Sequence, residues 1–246
     1  MARFGLAGRT ALVTGAALRL GKAIALELAR AGANLVVHYH RSGAEAEAAC
    51  AEIAALGVKA WALQADLSSP DQAAGLVGRA TELAGPVEVL VNSASIFGPS
   101  TIADVSFDQV VEYASVNAWA PFALSREFAR QTIDAGRIVN LLDTRVQAFD
   151  LQHVAYILSK HALLQFTRMT AMQFAPRITV NAVAPGLILP PPGEDESYLG
   201  ALAERLPLRR HGEAQDIADA VRFLVEASFI TGQVLFVDGG RHLREL

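Results

Sequence analysis

The chain has 246 residues, and 21 Lys and Arg against 25 Asp and Glu leave a formal net charge of -4, so it lacks the bulk positive charge that nucleic-acid binding needs. With 52% hydrophobic and 19% charged residues it can bury a substantial core, as one large α/β domain or two small ones, and intrinsic disorder is excluded. The single cysteine, Cys50, excludes an internal disulfide, and the short, broken apolar runs argue against export or membrane spanning; a reducing, cytoplasmic setting is expected.

In chain order, Thr10 to Val13 and Asn34 to Val37 read as short strands, and between them Leu20 to Ala31 sets Ile24, Leu26, Leu28 and Ala29 on a helical stripe. The alternation returns at Lys59 to Leu63, Val87 to Val91, Arg137 to Leu142, Ile178 to Val183 and Gln233 to Val237. Parallel strands need crossover connections, and right-handed crossovers lay helices on both faces of a sheet. The expectation is therefore an α/β chain, a single doubly wound Rossmann-type domain over residues 1–246 with a seven-stranded parallel sheet. Long helices at Phe107 to Thr132 and Ala155 to Phe174 are candidate subunit-interface elements, although burial inside one subunit would give the same stripes. Pro185 to Ser197, with Pro190, Pro191, Pro192, Gly193 and then Glu194-Asp195-Glu196, reads either as a solvated loop or as a lid over a ligand.

The first strand runs into Thr14-Gly15-Ala16-Ala17-Leu18-Arg19-Leu20-Gly21 and then a helix. Glycines there permit a tight turn, and a helix N-terminus offers N–H groups and partial positive charge to a pyrophosphate, so the turn is a candidate dinucleotide site. An NAD-preferring fold of this kind places an acidic residue at the end of the second strand, about 20 residues beyond the glycines. This chain has His38-Tyr39-His40-Arg41-Ser42 instead. A cation and a hydroxyl suit a 2′-phosphate, so His40, Arg41 and Ser42 favour NADPH over NADH; a solvated Arg and a packed His are the alternative.

Tyr156 and Lys160 lie four residues apart in a helical stretch and share a face. A phenol is a poor acid-base catalyst at neutral pH, and a nearby ammonium is expected to stabilise the phenolate and lower its pKa. The four histidines His153, His161, His211 and His242 are too scattered to suggest a metal.

Over essentially its whole length the chain resembles the short-chain dehydrogenase/reductase family, through Thr14-Gly15 with Gly21, Ala65-Asp66-Leu67, Asn92-Ser93-Ala94, Asn117, Tyr156 with Lys160, Asn181 with Pro185-Gly186, and Val237-Asp238-Gly239-Gly240. The resemblance implies that Asp66 and Leu67 hold adenine and that Asn92, Ser93, Ala94, Pro185 and Gly186 lie along the cofactor. It implies a water-bearing proton relay through Asn117, Tyr156 as the acid, Lys160 on the nicotinamide ribose, and a homotetramer. Two positions depart from the broad pattern: Arg19 replaces a glycine of the turn, and Asp143 stands where a serine is expected 13 residues before the tyrosine. Both departures, with the His-Tyr-His-Arg-Ser run, resemble the pteridine reductase branch, and the chain's end and its Ala184-Pro185-Gly186-Leu187-Ile188-Leu189 segment look more like that branch's bacterial dihydromonapterin-reducing members. This implies a pteridine substrate, Phe97 stacked on its ring, Ser95 bridging the two ligands, Arg19 touching both pyrophosphate and pterin, and an Asp143-Tyr156-Lys160 relay. Phe97 as a core aromatic, a carbonyl reductase acting on another substrate, and a silent NADP(H)-sensing protein are the competing readings.

Overall fold

Apolar side chains that alternate along each short strand give a sheet two apolar faces, and both must be covered. The computed structural model describes residues 4–190 and 195–244. It places strands β1 (Thr10–Val13), β2 (Asn34–Tyr39), β3 (Ala60–Gln64), β4 (Val87–Asn92), β5 (Gly136–Leu141), β6 (Ile178–Pro185) and β7 (Val234–Val237) in one sheet. The order is β3-β2-β1-β4-β5-β6-β7, with all neighbours parallel. Among the described residues the helices are α1 (Arg19–Arg30), α2 (Gly43–Ala54), α3 (Pro70–Ala84), α4 (Phe107–Ala114), α5 (Ala120–Arg130), α6 (Val154–Phe174), α7 (Glu196–Ala203) and α8 (Ala214–Glu226). On one face Ala11, Val13, Leu35 and Val37 pack under Ile24 and Leu28 of α1, Ile53 of α2 and Val221 of α8. On the other, Leu12, Val36, Leu90 and Ile138 pack under Leu76 of α3 and Leu124 and Phe128 of α5. None of the described helices is long and apolar enough to cross a membrane.

The strand order reverses between β1 and β4, so their carboxyl ends open a crevice, the usual ligand position in such a sheet. Strands β2 and β6 run two residues beyond the apolar pattern, and carry His38 and Pro185 to that edge. The single helix expected from Phe107 to Thr132 is interrupted: a π turn at Ser115–Trp119 separates α4 from α5. Pro121 has no N–H for the carbonyl of Asn117 four residues earlier, and the Ala120 N–H bonds the Ser115 carbonyl five back, so the helix widens by one residue there. The large apolar side chains Phe107, Trp119, Leu158, Met169 and Met172 of these long helices are exposed on the single chain. In the irregular segment Leu187 and Ile188 are buried rather than solvated, and Asp195 caps α7; Pro191 to Glu194, which bear on the lid reading, lie outside the described residues.

Candidate active site

The crevice is a cleft of about 640 Å³ whose walls include Gly15, Arg19, Leu20, Gly21, His40, Arg41, Ser42, Asp66, Leu67, Ser93, Ala94 and Ser95, all expected from the sequence. Its floor is backbone. Gly15 sits at φ +65°, and a Cβ on it would lie 3.0 Å from the Ala94 Cα; a Cβ on Gly21 would lie 2.2 Å from the Gly15 carbonyl oxygen. Only glycine lets these segments meet. Thr14 fixes the meeting, its Oγ1 accepting from the Ser93 and Ala94 amides at 2.9 and 3.0 Å. No side chain caps the first turn of α1 and no acidic residue lies in it, so its N–H groups face the cleft available to an anion. The donor set and the cradle that a Cβ would fill both fit a dinucleotide pyrophosphate. Arg19 adopts φ 53°, the left-handed region where the family pattern has glycine, at a cost on the order of 1 kcal/mol. Its Nη2 donates to the Pro190 carbonyl at 2.6 Å, so the side chain spans from the glycine turn to the segment after β6.

At the end of β2 the run of polar residues divides by direction. His38 points inward and is 2% exposed. Its Nδ1 accepts from the Gly15 N–H at 3.1 Å and its Nε2 donates to the Ala65 carbonyl at 3.2 Å, which fixes a neutral ring; burial pushes its pKa down to about 4. It braces the glycine turn. His40 and Arg41 point outward and are exposed, with His40 Nε2 3.7 Å from Asp66 Oδ2. Asp66 is held below the usual carboxylate range by hydrogen bonds from the Ser68 side chain and amide. Asn92, expected along the cofactor, turns its side chain into the protein instead: it is 2% exposed, and its Nδ2 donates to Asn140 Oδ1 at 2.8 Å. Asn92 and Asn140 are register partners on neighbouring β4 and β5, so their side chains leave the sheet on the same face and meet there. Asn181 likewise ties β6 to the loop before β7, accepting from Gln233 N at 3.0 Å and donating to the Ile230 carbonyl at 2.8 Å. Gly186 lies against Asp238, whose Cβ would be 2.5 Å from a Cβ at that glycine. Asp238 also holds Thr144, beside Asp143, and the Gly240 and His242 amides.

Tyr156, Lys160 and Asp143 do come together. The Tyr156 hydroxyl donates to Asp143 Oδ2 at 3.1 Å, and Lys160 Nζ donates to the Leu141 carbonyl at 2.8 Å, 5.6 Å from the tyrosine ring centroid. The expected lowering of the phenol's pKa is not found: burial, together with the Asp143 charge, drives it well above its ordinary value. Lys160 is itself pushed down to about 8 by burial. Tyr156 is thus a neutral phenol carrying its proton. Burial alone would raise Asp143, but hydrogen bonds and charge from Arg145 outweigh it and hold the carboxylate ionised. Asn117, wholly buried in the π turn, has its carboxamide fully engaged: Oδ1 accepts from Ser95 Oγ and Ile96 N at 3.1 and 2.9 Å, and Nδ2 donates to the Ile96 carbonyl and Ser159 Oγ, both at 3.0 Å. The carboxamide therefore positions the Ser95–Ile96 segment and leaves no position for a relay water. Phe97 is not a core aromatic. It is 46% exposed, with His153 stacked on one face at 4.5 Å between centroids and the Tyr156 ring edge-on at 4.9 Å.

Sequence reasoning missed His38, Arg145, Asp150 and His153. The inward turn of His38 is set by strand parity, and the others lie in the irregular stretch between β5 and α6, where no periodicity assigns neighbours.

The family model described as "Enoyl-(Acyl carrier protein) reductase" matches residues 15–242. The chain belongs to the short-chain dehydrogenase/reductase family of oxidoreductases. A 3-oxoacyl-[acyl-carrier-protein] reductase of Staphylococcus epidermidis is 33% identical over 242 residues, covering 96% of this chain and 99% of the relative. Among solved structures, FolM alternative dihydrofolate reductase 1 from Brucella canis, complexed with NADP, is 37% identical with a TM-score of 0.90 over 97% of this chain and 96% of that one. The promiscuous reductase LugOII, which catalyses keto-reduction at C1 during lugdunomycin biosynthesis, is 35% identical with a TM-score of 0.90 over 97% and 99%.

Proposed function

We propose that the protein is an NADPH-dependent reductase that converts a dihydropteridine, of dihydromonapterin or dihydrobiopterin type, to its tetrahydro form, with dihydrofolate as a weaker substrate. The observation that carries the reading is the ionised Asp143 hydrogen-bonded to Tyr156 where the family pattern puts a hydroxyl. An anion there opposes a lone ketone oxygen and suits a nitrogen heterocycle. NADPH, when bound, supplies the hydride. Arg41, His40 and Ser42 receive its 2′-phosphate, the α1 N-terminus with Gly15, Leu20 and Gly21 its pyrophosphate, Asp66 and Leu67 its adenine, and Lys160, Ser93, Ala94, Pro185 and Gly186 its nicotinamide half. Tyr156 donates a proton to the substrate, and Phe97 and Ser95 line the substrate side. Arg19, close to both, is freed from Pro190 to contact pyrophosphate and substrate. Any relay water at Asn117 is held by its backbone carbonyl. The exposed apolar residues of α4 to α6 form the interfaces of a homotetramer in the cytoplasm.

The likeness to the dihydrofolate reductase FolM supports the pteridine reading, while the 3-oxoacyl reductase relative and LugOII favour a second one, a carbonyl reductase using the same Tyr156–Lys160 pair. The test is NADPH oxidation with dihydromonapterin, dihydrobiopterin, dihydrofolate, a β-keto ester and a simple ketone. Turnover of a dihydropterin with kcat/KM well above every ketone is expected. Ketone turnover without any dihydropterin turnover selects the second reading.

A further inference from the structure

Arg145 is the group that makes an aspartate workable beside a buried tyrosine. Its Nε and its own amide donate to Asp143 Oδ1, each at 2.9 Å, and its Nη2 donates to Oδ2 at 2.8 Å. With the Tyr156 hydroxyl on Oδ2, these contacts fill the four lone-pair positions of the carboxylate. The guanidinium is anchored on its far side by Asp150, which also accepts from His153 Nδ1 at 2.8 Å, and it lies 5.5 Å from the centroids of both Phe97 and Tyr156. Ser100 locks the segment from outside, its carbonyl taking the Val154 amide at 2.8 Å and its Oγ the Ala155 amide at 3.0 Å.

We propose that Arg145 is a positioning residue that fixes Asp143 as a permanent anionic acceptor, so that the pocket selects substrates with an N–H donor beside their accepting nitrogen and rejects lone carbonyls. When Tyr156 swings its proton to a substrate, one Oδ2 lone pair loses its partner. A heterocycle edge with an adjacent N–H refills it; a ketone leaves a buried anionic oxygen unpaired and facing another oxygen, a loss that strongly polar sites convert into discrimination. This rests on the proposed role of Tyr156 as proton donor. The charged and titratable groups facing Asp143 are Arg145 from the turn after β5, Tyr156 and Lys160 from α6, and Asp150 and His153 from the segment before α6. Without the guanidinium, the burial that opposes ionisation loses its main counterweight, and the carboxyl takes up a proton more readily as the pH falls, becoming a donor that a ketone oxygen can use.

The test compares wild type, Arg145→Gln and Arg145→Lys with a dihydropterin and a β-keto ester between about pH 5.5 and 8.5. Expected is a selectivity ratio in kcat/KM that is flat with pH in the wild type, falls at least about tenfold in Arg145→Gln, and in that variant shifts further toward the keto ester as the pH drops. Arg145→Lys, which keeps the charge, stays flat. A folded Arg145→Gln with unchanged ratio and pH profile overturns the proposal. Should that variant not fold, the carbon-13 shift of the Asp143 carboxyl in wild type, assigned with Asp143→Asn, decides: it must not titrate in that range, and titration there overturns the proposal. If no dihydropterin is reduced at all, the pteridine reading fails, and the carboxyl shift still judges Arg145 by itself.

Discussion

Replacing His38 by glutamine tests how the cofactor turn is held. The ring is neutral, buried and committed on both nitrogens, and its pKa of about 4 lies below an ordinary 6.5 because burial disfavours the cation. Between these values the unfolded chain binds a proton that the folded one refuses. Stability therefore falls as the pH drops from about 6.5 towards 4 and levels off below. A gap of this size is worth about 3–4 kcal/mol, from about 1.4 kcal/mol per pH unit. Glutamine can offer an acceptor to Gly15 N–H and a donor to the Ala65 carbonyl without titrating, so His38→Gln costs about 1 kcal/mol at pH 7.5 and loses this component of the acid sensitivity. Equilibrium urea unfolding at fixed protein concentration, wild type against variant across that interval, isolates the difference, since the carboxylates contribute alike to both. Parallel stability curves would refute the reasoning. NADPH affinity should track the same brace, weakening in wild type at the low end of the interval.

Three further outcomes follow from the cleft. Gly21→Ala drives a Cβ to 2.2 Å from the Gly15 oxygen, so the turn must open by about 1 Å; a destabilisation of about 1–3 kcal/mol in thermal or urea unfolding and a large loss of NADPH binding are expected. Arg41→Ala should weaken NADPH far more than NADH in fluorescence titrations, and equal use of both cofactors by the wild type would remove the basis for the 2′-phosphate assignment. Lys160, with its pKa at about 8, loses its charge as the pH rises through that value, so NADPH affinity should fall on the alkaline side, and Lys160→Met should abolish that limb; an affinity flat from about pH 7 to 9 in the wild type contradicts it.

The sheet was legible because the strands are short apolar runs separated by helical stripes, and their parallel direction follows from the crossovers. The glycine turn was legible for the same reason that Gly15 and Gly21 cannot be replaced: backbone meets backbone there. What escaped was direction. His38 and His40 stand two apart, one buried and one exposed, because the strand ends between them and the alternation no longer applies. The Asn92 side chain bonds Asn140 on the neighbouring strand, a pairing of register that the sequence does not print. The π turn depends on one missing N–H, at Pro121, inside a run whose apolar stripe continues through it. Electrostatics escaped for a different reason: Lys160 is near enough to Tyr156 in sequence to suggest a phenolate, but burial of the phenol and the charge of Asp143, which accepts its hydrogen bond, outweigh that pull.

Asp143, Arg145 and Asp150 are consequently one unit, and substitution of a single member does not return the site to the ordinary family arrangement. Asp143→Ser restores a neutral hydroxyl beside Tyr156, yet it strips Arg145 of two side-chain hydrogen bonds and the charge it neutralises, leaving a guanidinium whose only remaining ionic partner among the described residues is Asp150. That cation, no longer paired with Asp143, is left partly uncompensated in a buried site, and the substrate N–H loses its anionic acceptor, so Asp143→Ser alone should cut dihydropterin turnover while admitting a β-keto ester poorly. Removing the cation as well, in Asp143→Ser with Arg145→Leu, takes out both members of the buried pair and should recover ketone turnover beyond either single change. The two effects on kcat/KM should thus be non-additive, with a coupling on the order of 1–3 kcal/mol, as groups sharing one buried network show. Strict additivity in that double-mutant cycle, with all four proteins folded, would mean that Arg145 and Asp143 act on the reaction separately.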